Sequence, residues 1–450
     1  MRILFVYPNK ESFGFKPIGI SLLSAVLKRE GHETDLFDTT FFDIGYSDTN
    51  EALKEAGFFK PTDIDKYDVM KKKIDLKGEL TRKICEFKPD VLAVSALSDE
   101  AGIGLEISRF SKEINPLILV IWGNKAVTMG FTDDCIDFYF KGEAIELLPW
   151  FLKNIKTLNT KYDKIRGPSA TYFQELDSLP YLDWSIFDDR QFLKQYDGKV
   201  LRGGDYMITW GCPNSCAYCI NEGYRKLHGP NAGKYIRQYS AKRAVEELQY
   251  LKEKWDLQFF KFHDEDFLLK DMDYLARFAF QYRDGVGLPF TIMANARNVT
   301  VDKVQLLKKI GCVSVSMGFE AGNPVIRQLL KRRETKEEII AATKLLNDYG
   351  IRTSSFNMIG LPFDTEETIQ ETIRLNADSG VQYPNVSFFF PLEGTKLRDI
   401  SIEYGFFKPD DNVEFRTNLP VLKLPLVSEE KLMYYFKNFA RLVKEARKGG

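Results

Sequence analysis

The stretch that decides the fold reads Thr209-Trp210-Gly211-Cys212-Pro213-Asn214-Ser215-Cys216-Ala217-Tyr218-Cys219. Its three cysteines have the spacing C-x3-C-x2-C, and the apolar run that leads into them predicts a β-strand at residues 206–211. Clustered thiolates are typical ligands of a soft metal ion or an iron–sulfur cluster. Because a closed structural site needs four protein ligands, three cysteines leave one metal position open for chemistry.

A zinc site is the alternative interpretation of this loop. His228 follows Cys219 nine residues later and completes a Cys3His set. A zinc module of this kind is a binding protein for nucleic acid rather than an enzyme. The strand that leads into the loop, and the aromatic side chain of Tyr218 directly before the third cysteine, favour the cluster.

The composition narrows the class of protein. The chain has 450 residues, enough for two to three domains with a core each. A formal net charge of −1 offers no basic surface for nucleic acid or anionic membranes. No apolar run approaches the length of a membrane span, and residues 1–7 are strand-like rather than a signal peptide. Together with an oxidisable cluster, these features predict a cytoplasmic protein with no nucleic-acid partner and no membrane span.

The other cysteines lie outside the loop and do not form a disulfide framework. Cys85, Cys135 and Cys312 stand in apolar or helical surroundings. We expect them to be small buried hydrophobic residues.

Residues 1–160 alternate strand and helix signals, which predicts an open α/β domain. Residues 18–30 carry apolar side chains at helical spacing and stop at Gly31. Residues 45–80 are polar, and we expect a solvated helical insertion there. The alternation indicates a doubly wound, Rossmann-like parallel sheet that binds ligands beyond the carboxyl ends of its strands. The predicted strands are 2–7, 33–37, 90–96, 117–122 and 137–140, with a further helix from about Glu143.

From Tyr206 the alternation resumes, which predicts a partial (β/α)6, TIM-like barrel with its chemistry at the carboxyl ends of the strands. Residues 161–204 have little periodicity and are predicted to be an interdomain linker. The barrel is predicted over residues 205–395 and a helical extension over 396–450, with one helix at 428–448. The predicted barrel strands are 206–211, 258–263, 289–295, 313–319, 352–359 and 385–390.

The spacing C-x3-C-x-aromatic-C resembles the signature of the radical S-adenosylmethionine (SAM) superfamily. The resemblance implies that Cys212, Cys216 and Cys219 hold a [4Fe–4S] cluster. It also implies that the amino and carboxylate groups of SAM bind the fourth iron.

Further motifs of that superfamily follow in order along the predicted barrel. Residues 318–322 resemble its Gly-x-Glu-Ser/Ala-Gly motif, residues 360–362 its Gly-Leu-Pro turn, and residues 391–395 its Pro-x-x-Gly-Thr motif. An acidic pair after the second strand can bind the SAM ammonium group. By this resemblance the SAM-binding residues are Tyr218, Asp264, Glu265, Asn295, Arg297, Ser316, Glu320, Ile359 and Gly360.

The first domain resembles the cobalamin-binding domain that precedes many radical SAM domains. Its matches are Lys16-Pro17-Ile18-Gly19 and the small or glycine residues after later strands, which let a backbone approach a flat macrocycle. The loop 8–14, where that family can carry an axial histidine, contains none, and His32 is predicted to be a turn residue. The cobalamin-binding residues implied by the resemblance are Pro17, Gly19, Asp38, Ser95, Leu97, Gly123, Gly142 and Glu143.

The resemblance implies an enzyme that cleaves SAM reductively to a 5′-deoxyadenosyl radical. With cobalamin, without an axial histidine from the first loop, it implies methyl transfer to an unactivated carbon or phosphorus centre. A radical SAM cyclase or rearrangement enzyme with an empty or repurposed first domain is the alternative. The implied partners are a small-molecule or peptide substrate and an electron donor such as flavodoxin or ferredoxin.

Overall fold

The computed structural model describes residues 1–11, 13–45, 62–97, 100–124, 127, 130–155, 171–228, 232–408 and 418–449. The chain divides into two compact units. The first contains Met1–Asp48, Asp63–Gln195 and Gly223–Tyr235, and the second is built mainly from Tyr196–Glu222 and Ile236–Gly450.

The first unit contains a parallel sheet in the order β2-β1-β5-β6-β7. Its core is formed by apolar side chains of the strands and of helices α2 and α3, among them Trp122 and Ile107. In such a sheet the strand order reverses beside β1, and the loops after β1 and β5 border the crevice where ligands bind. The elements are β1 (Arg2–Tyr7), α1 (Ile18–Arg29), β2 (Glu33–Asp38), β3 (Phe42–Asp43), β4 (Lys72–Lys73), α2 (Leu76–Phe87), β5 (Val91–Ser95), α3 (Ala101–Ile114), β6 (Leu119–Gly123), β7 (Phe138–Tyr139) and α4 (Leu147–Asn154).

The parallel α/β architecture predicted for the first unit is confirmed, with shifted boundaries. The helix predicted from about Glu143 begins at Leu147. The helical insertion predicted over 45–80 is confirmed in part: Asp65–Tyr67 and the residues from Leu76 are helical, whereas Lys72–Lys73 pairs in parallel with Phe42–Asp43 as a short strand. Residues 46–61 of that prediction lie outside the described residues.

The second unit repeats strand and helix, and its parallel strands follow the order β16-β15-β14-β13-β12-β9. Strand β8 (Leu193–Tyr196) belongs to the first unit as far as Gln195. The strands of the second unit are β9 (Lys199–Tyr206), β10 (Thr209–Trp210), β11 (Arg237–Gln238), β12 (Phe259–Phe262), β13 (Phe290–Ala294), β14 (Cys312–Glu320), β15 (Arg352–Ile359) and β16 (Tyr383–Phe388). Helix α5 (Asn221–His228) belongs to the first unit from Gly223 onwards. The helices of the second unit are α6 (Ala241–Trp255), α7 (Met272–Gly285), α8 (Val301–Lys309), α9 (Pro324–Leu329), α10 (Lys336–Asp348), α11 (Glu366–Ser379), α12 (Lys396–Glu403) and α13 (Glu429–Gly449).

The helices of the second unit begin at local capping residues. Ser240 and Asp271 each accept a backbone hydrogen bond at the start of α6 and α7. Thr335 and Glu338 form a reciprocal capping box at the start of α10. These side chains satisfy amide groups that a helix end leaves without partners, so the sequence places these helix starts locally.

Two strand predictions in the second unit are wrong in their bounds. The strand predicted at 206–211 is β9, which begins at Lys199, and the short β10 follows it. Gly203 and Gly204 lie within the range predicted as linker, but they pair in β9 with Phe259 and Phe260. The domain bounds 161–204 and 205–395 stay predictions, and β9 begins within the range predicted as linker.

The last strand begins two residues earlier than predicted, at Tyr383. This strand includes Pro384, and it lies at the edge of its sheet, where a missing amide donor is tolerated. Helix α13 packs against β16 and α11 through a core that includes Phe388, Phe436 and Phe439. Among the helices that the structure describes, none combines the length and apolarity that a membrane span needs.

Candidate active site

The three-cysteine loop is held by backbone contacts to later elements. Its entry strand β10 pairs antiparallel with β11. The amide of Ala217 donates to the carbonyl of Leu330 at 3.1 Å, and the amide of Leu397 donates to the carbonyl of Ala217 at 2.9 Å. The loop is therefore tied on both sides of its middle cysteine.

The cysteines of this loop differ in exposure. Cys216 is buried, whereas Cys212 and Cys219 are partly exposed, and none of the three is in a disulfide. Burial raises the pKa of the Cys212 thiol and raises the pKa of Cys219 to about 11. The free thiols of Cys212 and Cys219 therefore remain protonated, and their thiolates need a positive partner such as a metal.

The described residues contain no group of three histidine, cysteine, aspartate or glutamate side chains that converges on one metal ion. The side chain of His228, which the zinc alternative needs, lies outside the described residues. Outside the loop, Cys312 is buried as predicted, but Cys85 is exposed and Cys135 is half-buried, so the expectation for these two is wrong.

Asp264 anchors the entry to the loop. Its carboxylate accepts hydrogen bonds from the amides of Ile208 and Thr209, at 3.0 and 2.8 Å. Lys270 lies 2.7 Å from the same carboxylate, and both side chains are fully buried. The prediction that Asp264 binds SAM directly does not fit this geometry, because its oxygens are already in use inside the protein.

The neighbours of Asp264 differ in their surroundings. Glu265 is exposed, so its carboxylate remains accessible. Asp266 is buried and accepts hydrogen bonds from Asn298 and from the amide of Leu268. Of the predicted acidic pair, only Glu265 keeps the position of a candidate ligand, and its role stays a prediction.

Tyr218 and Glu320 lie together at the carboxyl end of β14. The Tyr218 hydroxyl donates to Glu320 Oε1 at 2.9 Å. Glu320 is buried and has a φ of +62°, a left-handed backbone conformation uncommon outside glycine. Burial raises the pKa of the Glu320 carboxyl.

Arg332 joins this pair to the cysteine loop, and the sequence analysis missed it. Its Nη1 lies 3.2 Å from the Tyr218 hydroxyl, 3.7 Å from Glu320 Oε1 and 3.8 Å from Cys216 Sγ. Its Nη2 donates to the carbonyl of Gly318 at 2.6 Å and to Glu334. In the sequence Arg332 stands in a charged run of the kind usually found on a solvated surface, so no local pattern marks it.

Glu334 extends the network to the end of β13. Asn295, a predicted SAM residue, donates to Glu334 Oε1 at 2.7 Å. Arg297, by contrast, is exposed and pairs with Glu338 at 3.4 Å. The structure therefore connects Asn295 with the group around Tyr218, and Arg297 lies outside that network.

The remaining predicted SAM residues lie at or near the carboxyl ends of strands. Ser316 of β14 shares a hydrogen bond of 2.6 Å with Ser354 of β15. Ile359 ends β15 and is buried, and Gly360 follows with a φ of +72°. Their proposed contacts with SAM stay predictions.

In the first unit, the candidate residues after β5 and β6 lie side by side. Ser95 pairs with Gly123 in the sheet, and Asn124 donates to the Ser95 hydroxyl at 3.1 Å. The amide of Leu97 donates to Glu100 at 2.8 Å. These hydrogen bonds connect residues at the carboxyl ends of β5 and β6.

The other first-unit candidates lie in loops or at element ends. Pro17 immediately precedes α1, and Gly142 has a φ of +85°. Glu143 accepts a hydrogen bond of 3.1 Å from the amide of Phe173. Asp38 ends β2 and accepts hydrogen bonds from Thr40 and Gln191. Burial raises the pKa of the Asp38 carboxyl.

His32 lies at the opposite edge of the sheet. It directly precedes β2, whose Glu33 pairs with Arg2 at the amino ends of the strands, and its Nδ1 lies 3.2 Å from the Met1 amine. The prediction that His32 is a turn residue is therefore confirmed. It cannot reach the carboxyl ends of the same strands.

Residues 206–375 match the family model of the radical SAM superfamily. These residues therefore form a radical SAM domain. This radical SAM protein is accordingly an enzyme, and the three-cysteine loop lies within the matched region.

Two curated relatives resemble the radical SAM enzyme over most of its length. It is 23% identical over 460 residues to an uncharacterized methyltransferase of Pyrococcus horikoshii, covering 96% of this chain and 90% of the relative. It is 22% identical over 422 residues to the anaerobic magnesium-protoporphyrin IX monomethyl ester cyclase of Rubrivivax gelatinosus, covering 87% of this chain and 68% of the relative.

Its fold is similar to that of the radical SAM methyltransferase TsrM from Kitasatospora setae, solved with cobalamin and a [4Fe–4S] cluster bound. The TM-score is 0.64 at 16% identity, and the match covers 99% of this chain and 88% of that chain. The fold match therefore includes the region that precedes the radical SAM domain.

Proposed function

We propose that this radical SAM enzyme is a cobalamin-dependent methyltransferase that acts on an unactivated carbon or phosphorus centre. The observation that carries the proposal is the extent of the similarity. A methyltransferase relative is covered over 90% of its length, and the fold of TsrM, which binds both cofactors, is matched over 99% of this chain. We propose that residues 1–160 bind cobalamin and that residues 205–395 bind SAM. Residues 161–204 are then the linker, and residues 396–450 are a helical extension.

The donor set of the three-cysteine loop fits an iron–sulfur cluster. Cys212, Cys216 and Cys219 supply three soft sulfur ligands from one loop, and none is in a disulfide. We assign the cluster to these residues. Hydrogen bonds to Asp264 hold the loop at its entry, and hydrogen bonds to Leu330 and Leu397 hold it at its middle.

For SAM, we propose the residues at the carboxyl ends of the barrel strands. Glu265 is exposed and carries a charge opposite to that of the SAM ammonium group. Ser316 and Glu320 offer oxygens for the carboxylate and ribose, and the backbone after Ile359 offers a flat edge for adenine. Arg332 holds Glu320 and Tyr218 in one arrangement beside Cys216.

Two glycines at the carboxyl edge of the first unit are not packed closely by the protein. A methyl group added at Gly19 would meet no atom within 4 Å, and one at Gly123 would only touch Phe140 at 3.9 Å. Neither glycine is therefore required by the protein's own packing, which agrees with close approach of a ligand at these positions. We propose that cobalamin binds along this edge, beside Pro17, Asp38, Ser95, Leu97, Gly142 and Glu143.

The same edge offers no histidine from the first loop. Residues 8–14 contain none, and His32 lies at the opposite edge. We propose that cobalamin binds without an axial imidazole from this domain. When bound, the cluster and SAM supply a radical that abstracts hydrogen, and cobalamin supplies a transferable methyl group. The chain contributes ligands, orientation and exclusion of water.

We propose a small-molecule or peptide substrate, an electron donor of the flavodoxin or ferredoxin type, and a cytoplasmic location. The decisive experiment uses the anaerobically reconstituted full chain with hydroxocobalamin, a chemical reductant and SAM labelled in its methyl group. We expect cobalamin to acquire the label. Absence of label on cobalamin, while SAM is cleaved to 5′-deoxyadenosine, would remove methyl transfer as the function.

A radical SAM cyclase is the second candidate. The similarity to the anaerobic magnesium-protoporphyrin IX monomethyl ester cyclase, over 87% of this chain, favours it. The labelling experiment separates the two functions, because a cyclase cleaves SAM without transferring its methyl group.

A further inference from the structure

We propose that Gln191 is a positioning residue for cobalamin, which holds the loop after β1 and the carboxylate of Asp38 in their binding arrangement. The inference rests on the proposed function. The residue lies within the range that the sequence predicts to be a linker, and it belongs to the first unit.

The side-chain amide of Gln191 connects the ends of two neighbouring strands. Its Nε2 donates to Asp38 Oδ2 at 2.7 Å and to Thr40 Oγ1 at 2.8 Å, just after β2. Its Oε1 accepts a hydrogen bond of 3.0 Å from the amide of Gly14, in the loop after β1. Both amide hydrogens are therefore used, and the residue is 0% exposed.

The backbone around Gln191 follows the same loop closely. The ammonium group of Lys16 donates to the Gln191 carbonyl at 3.2 Å, and Lys194 donates to the Gly14 carbonyl. Gly14 has a φ of +92°, and a methyl group there would lie 2.4 Å from the carbonyl oxygen of Leu193. The loop after β1 is thus packed against residues 191–194.

The hydrogen bonds of Gln191 and Thr40 fix the orientation of the Asp38 carboxylate. Asp38 Oδ1 already accepts from the amide and hydroxyl of Thr40, so its carboxylate is oriented from both sides. The loop after β1 borders the crevice where a sheet of this order binds ligands. Gln191 therefore sets two walls of the proposed cobalamin site from a segment far away in the sequence.

A substitution that introduces a negative charge at Gln191 tests this arrangement. Gln191→Glu has nearly the same shape, but it replaces two donors by acceptors that face the Asp38 carboxylate. We expect it to weaken hydroxocobalamin binding by at least tenfold, as measured by absorbance titration of the anaerobically reconstituted full chain. Adding Asp38→Asn restores a donor opposite the new carboxylate, so we expect the double variant to bind hydroxocobalamin more tightly than Gln191→Glu, although it removes the charge of a residue that we place beside the cofactor.

The matched control is Gln195→Glu, the same substitution four residues later at an exposed position of β8. We expect its affinity to be unchanged. Iron content and the melting temperature of the cobalamin-free protein are measured for every variant. The affinities are then compared only among variants that are folded.

The outcomes are distinct. Wild-type affinity in folded Gln191→Glu, or a double variant no better than the single one, overturns the inference. A wild-type protein that does not bind hydroxocobalamin overturns the proposed function itself. Should Gln191→Glu not fold, hydrogen exchange of the cobalamin-free wild type decides, because a fast-exchanging Gly14 amide contradicts the bond to Gln191.

Discussion

The hydroxyl of Tyr218 donates a hydrogen bond of 2.9 Å to Oε1 of Glu320, across 102 residues of sequence. The aromatic residue before the third cysteine thus fixes the position of the carboxylate at the end of β14. Tyr218→Phe should leave Glu320 buried with one donor fewer and lower the free energy of unfolding by about 1–3 kcal/mol. Chemical denaturation measures this change.

The control for this prediction is Tyr250→Phe. Tyr250 is exposed and its hydroxyl contacts an equally exposed Lys254, so its removal should cost less than about 0.5 kcal/mol. Equal effects of the two substitutions would contradict a structural role for the bond between Tyr218 and Glu320.

The cysteine assignment predicts a clear division among six alanine variants. Cys212→Ala, Cys216→Ala and Cys219→Ala should each lose SAM cleavage, whereas the reconstituted wild type should contain about four irons. Cys85→Ala, Cys135→Ala and Cys312→Ala should retain the cluster, although Cys312→Ala removes a buried side chain and should lower stability. Iron and sulfide analysis checks this. A variant from the second group that loses as much iron as Cys216→Ala would show that the ligands are assigned wrongly.

Adjacent acidic residues should respond differently. Glu265→Gln should weaken SAM binding by about ten- to hundredfold, the effect of losing a charge-assisted hydrogen bond, with little change in stability. Asp264→Asn should instead destabilise the fold by about 3–5 kcal/mol, because it leaves the buried Lys270 without its carboxylate. Equilibrium dialysis with SAM and thermal unfolding separate the two effects. If Glu265→Gln bound SAM normally, this carboxylate would be a surface residue only.

Asp364 predicts a pH dependence of stability. It is buried, its carboxylate accepts hydrogen bonds from the Leu361 amide and the Thr368 hydroxyl, and burial raises its pKa to about 7. Because this pKa lies above that of the unfolded chain, near 3.9, its contribution to stability is fully present below about pH 4 and is lost as the pH rises towards 7. The loss is of order 4 kcal/mol.

Thermal unfolding between pH 5 and 8.5 tests this. Asp364→Asn removes the titrating group, so its melting temperature should fall less over this range than that of the wild type. Asp284→Asn is the control, since Asp284 is exposed and pairs with Arg283 on the surface. Parallel pH profiles of wild type and Asp364→Asn would contradict the raised pKa.

The positions of the histidines in the first unit lead to a prediction about the axial ligand of cobalt. With no histidine in loop 8–14 and His32 at the amino ends of the strands, we expect cobalt to have no imidazole ligand from residues 1–160. The magnetic resonance spectrum of the one-electron-reduced, cobalamin-loaded protein should therefore lack nitrogen hyperfine splitting from a histidine of the protein. Splitting that persists in the His32→Ala variant would point to a nitrogen ligand from elsewhere.

The order of the motifs along the chain was enough to predict the α/β class and most strands. Strand β1, with its continuous apolar side chains, and β15 are placed correctly because their pattern is local. Strand β9 was misjudged because Gly203 and Gly204 have low strand propensity by themselves, and only pairing with Phe259 and Phe260 makes them a strand.

By itself, the sequence determined the three-cysteine loop, the helix starts capped by Thr335 and Asp271, and the alternation of strands and helices. These features depend on residues within about ten positions of each other. Tertiary structure alone decided the roles of Asp264, Arg332 and Gln191. Their side chains contact groups that lie 55, 116 and 153 residues away, at Thr209, Cys216 and Asp38. A charged or amide side chain looks alike in the sequence on a surface and in a buried network, and only folding brings its partner within hydrogen-bond distance.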